Sequence, residues 1–316
     1  MKLIIQIPCY NEEKTLPITL KDLPREVPGF DKVEWLIIDD GSTDRSVEVA
    51  KAHGVDYIVR HPKNLGLARA FMTGLDACLK LGADVIVNTD ADNQYCAADI
   101  PKLVQPILEG KAEMVIGARP IEKIKHFSPV KKFLQKLGSW VVCCVSRTYV
   151  PDAPSGFRAI SREAALKLNV FSEYTYTIET IIQAGQKNMA VVSVPIRVND
   201  EFLRPSRLIK SIPSYIKRSI ETIIRIFVVY RPFRFFFTIG AVLFVLGLLL
   251  GLRFLYYYFI GEGKGHIQSV ILSGVLLGMG FQTILVAFLA DLLSVNRKLL
   301  EDIQYRLRKR EIKIQE

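Results

Sequence analysis

Asp84-Val85-Ile86-Val87-Asn88-Thr89-Asp90-Ala91-Asp92 is the stretch on which the fold turns. A short β-branched run bounded by polar residues reads as a buried strand. It delivers two carboxylates to its tip, and the alternation of side chains along extended chain puts Asp90 and Asp92 on one face. An oxygen-rich pair of this kind suits a hard divalent cation, Mg²⁺ or Mn²⁺, that also takes oxygens from a diphosphate.

The pattern repeats on either side. Leu3–Ile7, Trp35–Ile38, Tyr57–Val59 and Met114–Ile116 read as further strands. Glu13–Leu23, Ser46–His53, Gly66–Leu81 and Asp99–Glu109 read as the helices between them, with Ser42 or Thr43 and Asp99 as caps. This alternation predicts an α/β domain with a mostly parallel sheet. The first strand runs into Pro8-Cys9-Tyr10-Asn11-Glu12-Glu13, the second into Asp39-Asp40-Gly41-Ser42 and the fourth into Asp90-Ala91-Asp92. Ligands of open α/β sheets bind outside the carboxyl ends of the strands, so these tips are expected to converge on one cleft.

Half of the 316 residues are hydrophobic and the formal net charge is +10. The charge is concentrated: residues 201–234 carry eight Lys or Arg against two acids, and residues 297–316 carry seven against four. Both clusters flank apolar spans, so anionic lipid headgroups account for them and no nucleic-acid partner is expected. Cys9, Cys78, Cys96, Cys143 and Cys144 form no C-x-x-C pair and have no His at zinc spacing, the pattern of reduced cytosolic thiols. His53, His61, His126 and His266 likewise have no partner at ligand spacing. The apolar run ending at Pro8 is too brief for the core of a signal peptide and reads as a strand.

Beyond an α/β domain over residues 1–205, the chain changes character. Ile209, Ile212, Ile216, Ile220, Ile223 and Phe227 recur at helical spacing among Lys210, Lys217, Arg218 and Arg225. This predicts basic amphipathic helices over 206–233, broken at Pro213, lying in a membrane interface or packed on the domain. Phe235–Leu252 carries no charge, Phe254–Ile260 extends it past Arg253, and Ile267–Ala290 is a second uncharged stretch. Each can cross about 30 Å of hydrocarbon. The expected arrangement is a transmembrane helix over 234–260, a short external loop over 261–266, a second transmembrane helix over 267–292 and a basic tail over 293–316. Lys and Arg on both outer flanks predict an integral membrane protein whose domain and tail are cytoplasmic. Gly247…Gly251 and Gly274…Gly278 have the small-xxx-small spacing that serves helix packing, within the hairpin or in a homo-oligomer.

Six motifs lie in order along the chain: Ile7-Pro8-Cys9-Tyr10-Asn11-Glu12-Glu13, Asp39-Asp40-Gly41-Ser42-Thr43-Asp44, Asn64-Leu65-Gly66-Leu67-Ala68, Asp90-Ala91-Asp92-Asn93-Gln94, Gly117-Ala118-Arg119 and Asp152-Ala153-Pro154-Ser155-Gly156-Phe157-Arg158. Together they resemble the family 2 inverting glycosyltransferases of GT-A fold, and most closely the branch of dolichol-phosphate mannose synthases and bacterial polyprenyl-phosphate glycosyltransferases. The resemblance implies that Pro8, Tyr10, Asn11, Glu12 and Asp40 hold base and ribose. It implies that Asp90, Asp92 and Gln94 surround metal and diphosphate, and that Arg119 and the basic residues before the membrane helices bind phosphate. Asn64 and Arg69 are placed to line the nucleotide cleft, although a loop-to-helix start uses such residues anyway. Asp152 falls where related transferases put a catalytic or acceptor-positioning acid, and Asp-Ala-Pro-Ser is also an ordinary turn. The chain departs from the synthases after Gln94, with Tyr95-Cys96-Ala97-Ala98-Asp99 in place of His-Pro-Pro-Glu, and at Pro120.

The implied reaction moves a hexose from a UDP- or GDP-sugar to a polyprenyl phosphate on the cytoplasmic leaflet. A phosphate monoester has a second pKa of about 6, so the acceptor oxygen is already anionic and needs no protein base. The protein has instead to stabilise the departing nucleoside diphosphate and align the acceptor, work suited to a metal with Asp92, Arg119, Arg158, Arg204 and Arg207. Two other readings compete. A processive polysaccharide synthase resembles longer chains with more membrane helices and a Gln-x-x-Arg-Trp motif, absent here. A catalytically silent nucleotide-binding scaffold is opposed by the intact Asp90, Asp92 and Gln94.

Overall fold

The computed structural model describes residues 1–121, 129–170, 176–199, 217, 221, 224–225, 227–261 and 263–315. Met1–Ser219 and Asp302–Glu316 form one unit, and Ile220–Glu301 the other. Most of the expected interface helices, with Arg204 and Arg207, lie outside the described residues.

The first unit is a three-layer α/β domain. Its strands are β1 (Lys2–Cys9), β2 (Lys32–Asp39), β3 (Tyr57–Arg60), β4 (Val85–Asn88), β5 (Met114–Ala118), β6 (Arg158–Ser161) and β7 (Val191–Pro195), in the order β3-β2-β1-β4-β6-β5-β7. Its helices are α1 (Leu16–Asp22), α2 (Ser46–Ala52), α3 (Leu67–Lys80), α4 (Ile100–Leu108), α5 (Pro129–Ser146), α6 (Arg162–Lys167) and α7 (Thr177–Gln186). The interior strand β1 buries Leu3, Ile4, Ile5 and Ile7 completely. A strand covered on both faces reads as a continuous apolar run, and each such side chain contributes roughly 1.5–3 kcal/mol by leaving water.

The five expected strands and four expected helices are all present, with ends shifted by up to three residues. Of the expected caps, only Asp99 falls at a helix N-cap, and its side chain makes no capping bond. Arg45 precedes α2 and its first turn is held by Asp44 Oδ1, which accepts from Ser46 N at 3.0 Å. Asp99 stands at the start of α4, but its carboxylate is taken by Arg197.

β6, not foreseen from sequence, decides the architecture of the site. Its four residues are too few for a periodic signal, yet it pairs antiparallel with both β4 and β5, whereas β1, β2, β3 and β4 pair parallel, as do β5 and β7. Arg158 lies opposite Asn88 on one side and Ile116 on the other. A strand running backwards starts where its neighbours finish, so Asp152–Phe157 is delivered to the carboxyl tips of β4 and β5.

The second unit contains a helical hairpin. Helix α8 (Pro232–Ile260) and helix α9 (Ile267–Gln315) are both long and apolar enough to cross a membrane. Within the hairpin, a Cβ on Gly247 would lie 2.8 Å from the backbone N of Leu277, and Ser273 Oγ donates to Gly247 O at 2.6 Å. The Gly247…Gly251 pattern therefore serves packing inside the hairpin. At Gly274 and Gly278, by contrast, nothing among the described residues beyond the helix's own neighbouring backbone comes within 4 Å of where a Cβ would stand.

The expected end of the second span at 292 is a change of composition only. No Gly or Pro follows Gly280, so α9 continues to Gln315. Its last turns belong to the first unit, where Tyr305 Oη donates to Glu163 Oε1 at 2.6 Å, and Arg308 Nη1 donates to Leu168 O at 2.8 Å. Arg308 also lies 3.3 Å from Asp76. The basic tail is thus an ordered helical brace across α3 and α6.

Candidate active site

The cleft at the carboxyl tips has two walls. The first is built by β1, β2 and the start of α3. Cys9 and Asp39 are in register, and Asp40 N donates to Cys9 O at 2.8 Å, which locks the first two strand tips together. Beyond them Asn11, at a φ of 54°, donates its N–H to Ser42 Oγ (2.9 Å) and accepts from Thr43 N (2.8 Å). Glu12 N donates to Ser46 Oγ at 2.8 Å, and the buried Glu12 carboxylate accepts from Thr15 Oγ1 at 2.6 Å. Pro8 lies within β1, and Tyr10 just past its end is half-buried.

Asp40 organises the rest of this wall. Its Oδ1 accepts from Leu65 N and its Oδ2 from Gly66 N, both at 2.9 Å. His61 Nδ1 meets Oδ1 at 2.8 Å, and His61 Nε2 meets Thr73 Oγ1 at 3.0 Å. His61, set aside in the sequence for want of a partner, is buried against the carboxylate. The signal was its place three residues before the Asn64-Leu65-Gly66 motif that Asp40 also holds. Gly41 shows why the turn needs glycine: its φ is 74° and a Cβ would strike the Lys63 carbonyl carbon at 2.5 Å. Asn64 Oδ1 accepts from Gly66 N at 3.0 Å, and Arg69 is exposed on the first turn of α3.

The second wall is built by the tips of β4 and β5 and the chain entering β6. Asp90, Asp92 and Gln94 are half-buried, and Asp92 Oδ1 accepts from Gln94 N at 3.2 Å. Asp90 rests on Gly156, where a Cβ would come within 3.1 Å of Asp90 Oδ1 and 2.9 Å of Tyr176 Oη. A buried amide ladder supports it: Gln6 Nε2 donates to Asn88 Oδ1 (2.9 Å), and Asn88 Nδ2 donates to Gly156 O (2.9 Å) and Tyr176 Oη (2.8 Å). Tyr95 closes the floor, accepting from Gly156 N at 3.0 Å and stacking on Phe157 at 5.0 Å.

Arg119 and Asp152 form a buried fork. Arg119 donates from Nε to Asp152 Oδ2 at 2.7 Å, from Nη2 to Oδ1 at 3.0 Å and from its backbone N to Oδ2 at 3.2 Å. Its remaining Nη1 reaches Gln94 Oε1 at 3.4 Å. Burial works against the guanidinium charge, but Tyr95 and Asp152 outweigh it and raise the Arg119 pKa above its ordinary value. Asp152 is fully buried and its oxygens are turned to Arg119, so of the two roles open for it the geometry favours positioning over direct catalysis.

Arg158 requires a correction. It was expected at the acceptor phosphate, but it is fully buried and donates to Thr180 Oγ1 (2.6 Å), Thr177 O (3.2 Å) and Ser155 O. The antiparallel entry of β6 turns this side chain into the core, where it ties α7 to the Ser155-Gly156 turn. Arg197 and Asn199, after β7, were also missed. Arg197 clasps Asp99 through Nη2 at 2.8 Å, and Asn199 Nδ2 donates to Asn93 O at 2.9 Å, so they brace the loop that carries Asp92 and Gln94 from behind.

A divalent cation fits this donor set. Asp90 and Asp92 offer only oxygen, and among the described residues no group of three or more His, Cys, Asp or Glu forms an all-protein cage. A cation here would take its further ligands from a diphosphate, the habit of Mg²⁺ and Mn²⁺ in phosphate-transfer sites.

The family model for Glycosyl transferase family 2 matches residues 4–168. The chain is 32% identical over 216 residues to the UDP-N-acetylglucosamine–dolichyl-phosphate N-acetylglucosaminyltransferase of Methanococcus voltae, covering 60% of this chain and 83% of that protein. It is 26% identical to the undecaprenyl-phosphate mannosyltransferase of Micrococcus luteus, covering 66% and 88%. In fold it is similar to glucosyl-3-phosphoglycerate synthase of Mycobacterium tuberculosis, solved with Mn²⁺, uridine diphosphate and phosphoglyceric acid, at a TM-score of 0.55, 20% identity and coverage of 72% and 77%.

Proposed function

The chain belongs to glycosyl transferase family 2, and from that premise we propose that it transfers a hexose from a UDP- or GDP-sugar to a polyprenyl phosphate with inversion. The relatives whose names carry dolichyl phosphate and undecaprenyl phosphate support a lipid phosphate acceptor. The observation that carries the reading is the meeting, on one cleft wall, of the Asp90-Asp92 pair with the Asp152-held Arg119 and Gln94. Anion and cation are thereby set side by side at the end of the sheet where substrates bind.

The first wall, Pro8, Tyr10, Asn11, Glu12 and Asp40 with Asn64 and Arg69, cradles the nucleoside. Asp90, Asp92 and Gln94 would hold a divalent cation, which would neutralise charge on the diphosphate. An acceptor phosphate oxygen attacks the anomeric carbon from the face opposite the diphosphate. The new C–O bond forms as the old one breaks, and the electron pair leaves with the nucleoside diphosphate. The acceptor oxygen is already anionic, so no residue has to remove a proton. Arg119, held by two donors on one carboxylate, offers its remaining edge to the phosphates. Arg204 and Arg207 bring the acceptor phosphate in, and the domain and tail face the cytoplasm because both flanks of the hairpin are basic.

The test is a panel of radiolabelled UDP- and GDP-hexoses offered to the full chain in vesicles with polyprenyl phosphate and Mg²⁺ or Mn²⁺. The expected result is label in the lipid fraction with one donor. Absence of lipid label with every donor overturns the reading. Arg207→Ala is expected to raise the acceptor KM and leave the donor KM unchanged; an equal rise in both removes its assigned role.

A further inference from the structure

Among its described residues the first unit carries a large apolar face that neither the sheet nor the nucleotide cleft explains. It lies on α5, the helix between the two acceptor-side motifs. Phe133, Leu137, Trp140 and Cys144 follow one another at helical spacing of four, three and four, and all are exposed, Phe133 and Trp140 by 65% and 63%. They form a stripe about 16 Å long on a single side of the helix. Gln135, Ser139, Val142 and Ser146 turn the other way and are buried. Tyr149, just past the helix, is 81% exposed. Side chains of this size gathered on one outward face mark an interaction surface.

The charge pattern says which. From residue 129 to residue 151 the sequence carries Lys131, Lys132, Lys136 and Arg147 and no acid at all. Phe, Trp and Leu on one face of a segment whose own charges are all basic is the composition of a helix that lies in the interface of an anionic bilayer. The chain also carries two helices of membrane-crossing length, which makes a bilayer an available occupant for that face.

The connection to the site is topological. The Arg119–Asp152 pair joins residues 33 apart, and α5 lies within the excursion that this pair closes. Whatever holds α5 is thus linked at both ends to the fork that faces the acceptor.

We propose that the outward face of α5 seats in the surface of an anionic bilayer and so brings the Arg119–Asp152 fork to the depth of a lipid phosphate headgroup. The consequence for acceptor use rests on the transfer reading above; the seating itself does not.

Two tryptophans make this measurable, since Trp35 is buried in the core and Trp140 is exposed. The full chain and Trp140→Phe are reconstituted in vesicles of phosphatidylcholine with about one-third phosphatidylglycerol, and the difference in emission reports Trp140. Brominated acyl chains are expected to quench that difference signal at least twofold, and aqueous iodide to leave it nearly unchanged. Quenching by iodide and not by brominated lipid overturns the proposal. Protection from both, with a disulfide forming between Cys144 of two copies, overturns it in favour of a protein interface.

The activity arm uses Phe133→Ser/Trp140→Ser. Its KM for a long polyprenyl phosphate is expected to rise at least fivefold, with the donor KM and the rate on a short water-soluble isoprenyl phosphate unchanged. An unchanged KM for the long acceptor overturns the link to acceptor use. Lipid quenching of Trp140 in a chain that transfers no sugar sinks the transfer reading and leaves the seating standing. The reverse pattern does the opposite.

Discussion

The two walls of the cleft solve the same problem, fixing carboxylates at strand tips, by different means. On the nucleotide wall Asp40 is held by backbone N–H groups of Leu65 and Gly66 and by His61. On the acceptor wall Asp152, itself fully buried, is held by a guanidinium 33 residues earlier. Backbone donors come with the loop and remain in place whatever side chain is substituted. A buried ion pair is only as good as its geometry, and losing one partner strands the other charge. Mutating the groups around Asp40 on the first wall is therefore expected to cost binding, and breaking the Arg119–Asp152 pair on the second to cost stability.

The largest effect is expected at the half-buried carboxylates of the second wall, outside its buried ion pair. Asp92→Asn should lower transfer by about 10²–10³-fold, as removal of a central electrostatic group does, with an unchanged melting temperature. A variant that unfolds instead would show that Asp92 supports the fold and would break the comparison. Next, Asp152→Ala should destabilise the catalytic unit by about 3 kcal/mol or more in a denaturant titration. Arg119→Met/Asp152→Leu should recover part of that loss, because no charge is left buried. Equal losses for the single and double variants would mean that the fork is not what holds this wall.

Asp99 sharpens the same point with pH. Burial opposes its charge, but hydrogen bonds from Arg197 and Lys102 outweigh it and lower its pKa from 3.8 to about 2. A carboxyl with a depressed folded-state pKa stabilises the fold above its unfolded value and loses that contribution as pH falls. Asp99→Asn should therefore cost about 1–2 kcal/mol at pH 7. The gap should shrink between pH 4 and pH 2, as followed by far-UV circular dichroism. A gap that persists at pH 2 would assign the loss to packing.

The smallest effect is expected on the nucleotide wall. His61→Ala should raise the donor KM a few-fold, since Asp40 keeps its two backbone donors, while kcat and the acceptor KM hold. His61→Gln, which can still donate to Asp40, should restore much of the donor KM. Failure of that rescue would mean that His61 matters for packing alone.

These differences also explain what was legible in advance. The nucleotide wall is made of contiguous motifs, each a strand tip or turn with its own local chemistry, so Asp40, Asn64 and Gly66 could be found by reading along the chain. The acceptor wall draws on β6 and on Arg197 and Asn199 beyond β7, and no local pattern announces which of these meet. Arg158 is the clearest case. Its motif was recognised, but whether its side chain faces cleft or core depends on the direction of a strand only four residues long.

By itself the sequence determined the alternation of strands and helices, the carboxylate pair at Asp90 and Asp92, and two apolar stretches long enough to cross a bilayer. Each of these follows from the periodicity or composition of neighbouring residues. Tertiary structure alone decided that β6 runs backwards and brings Asp152 to Arg119, that Asp40 is shared by His61 and the Asn64 loop, and that the basic tail folds back as a helix onto Glu163 and Leu168. Those contacts join residues 21 to 142 positions apart, and it is the closing of such loops around a buried sheet, rather than any local preference, that brings them together.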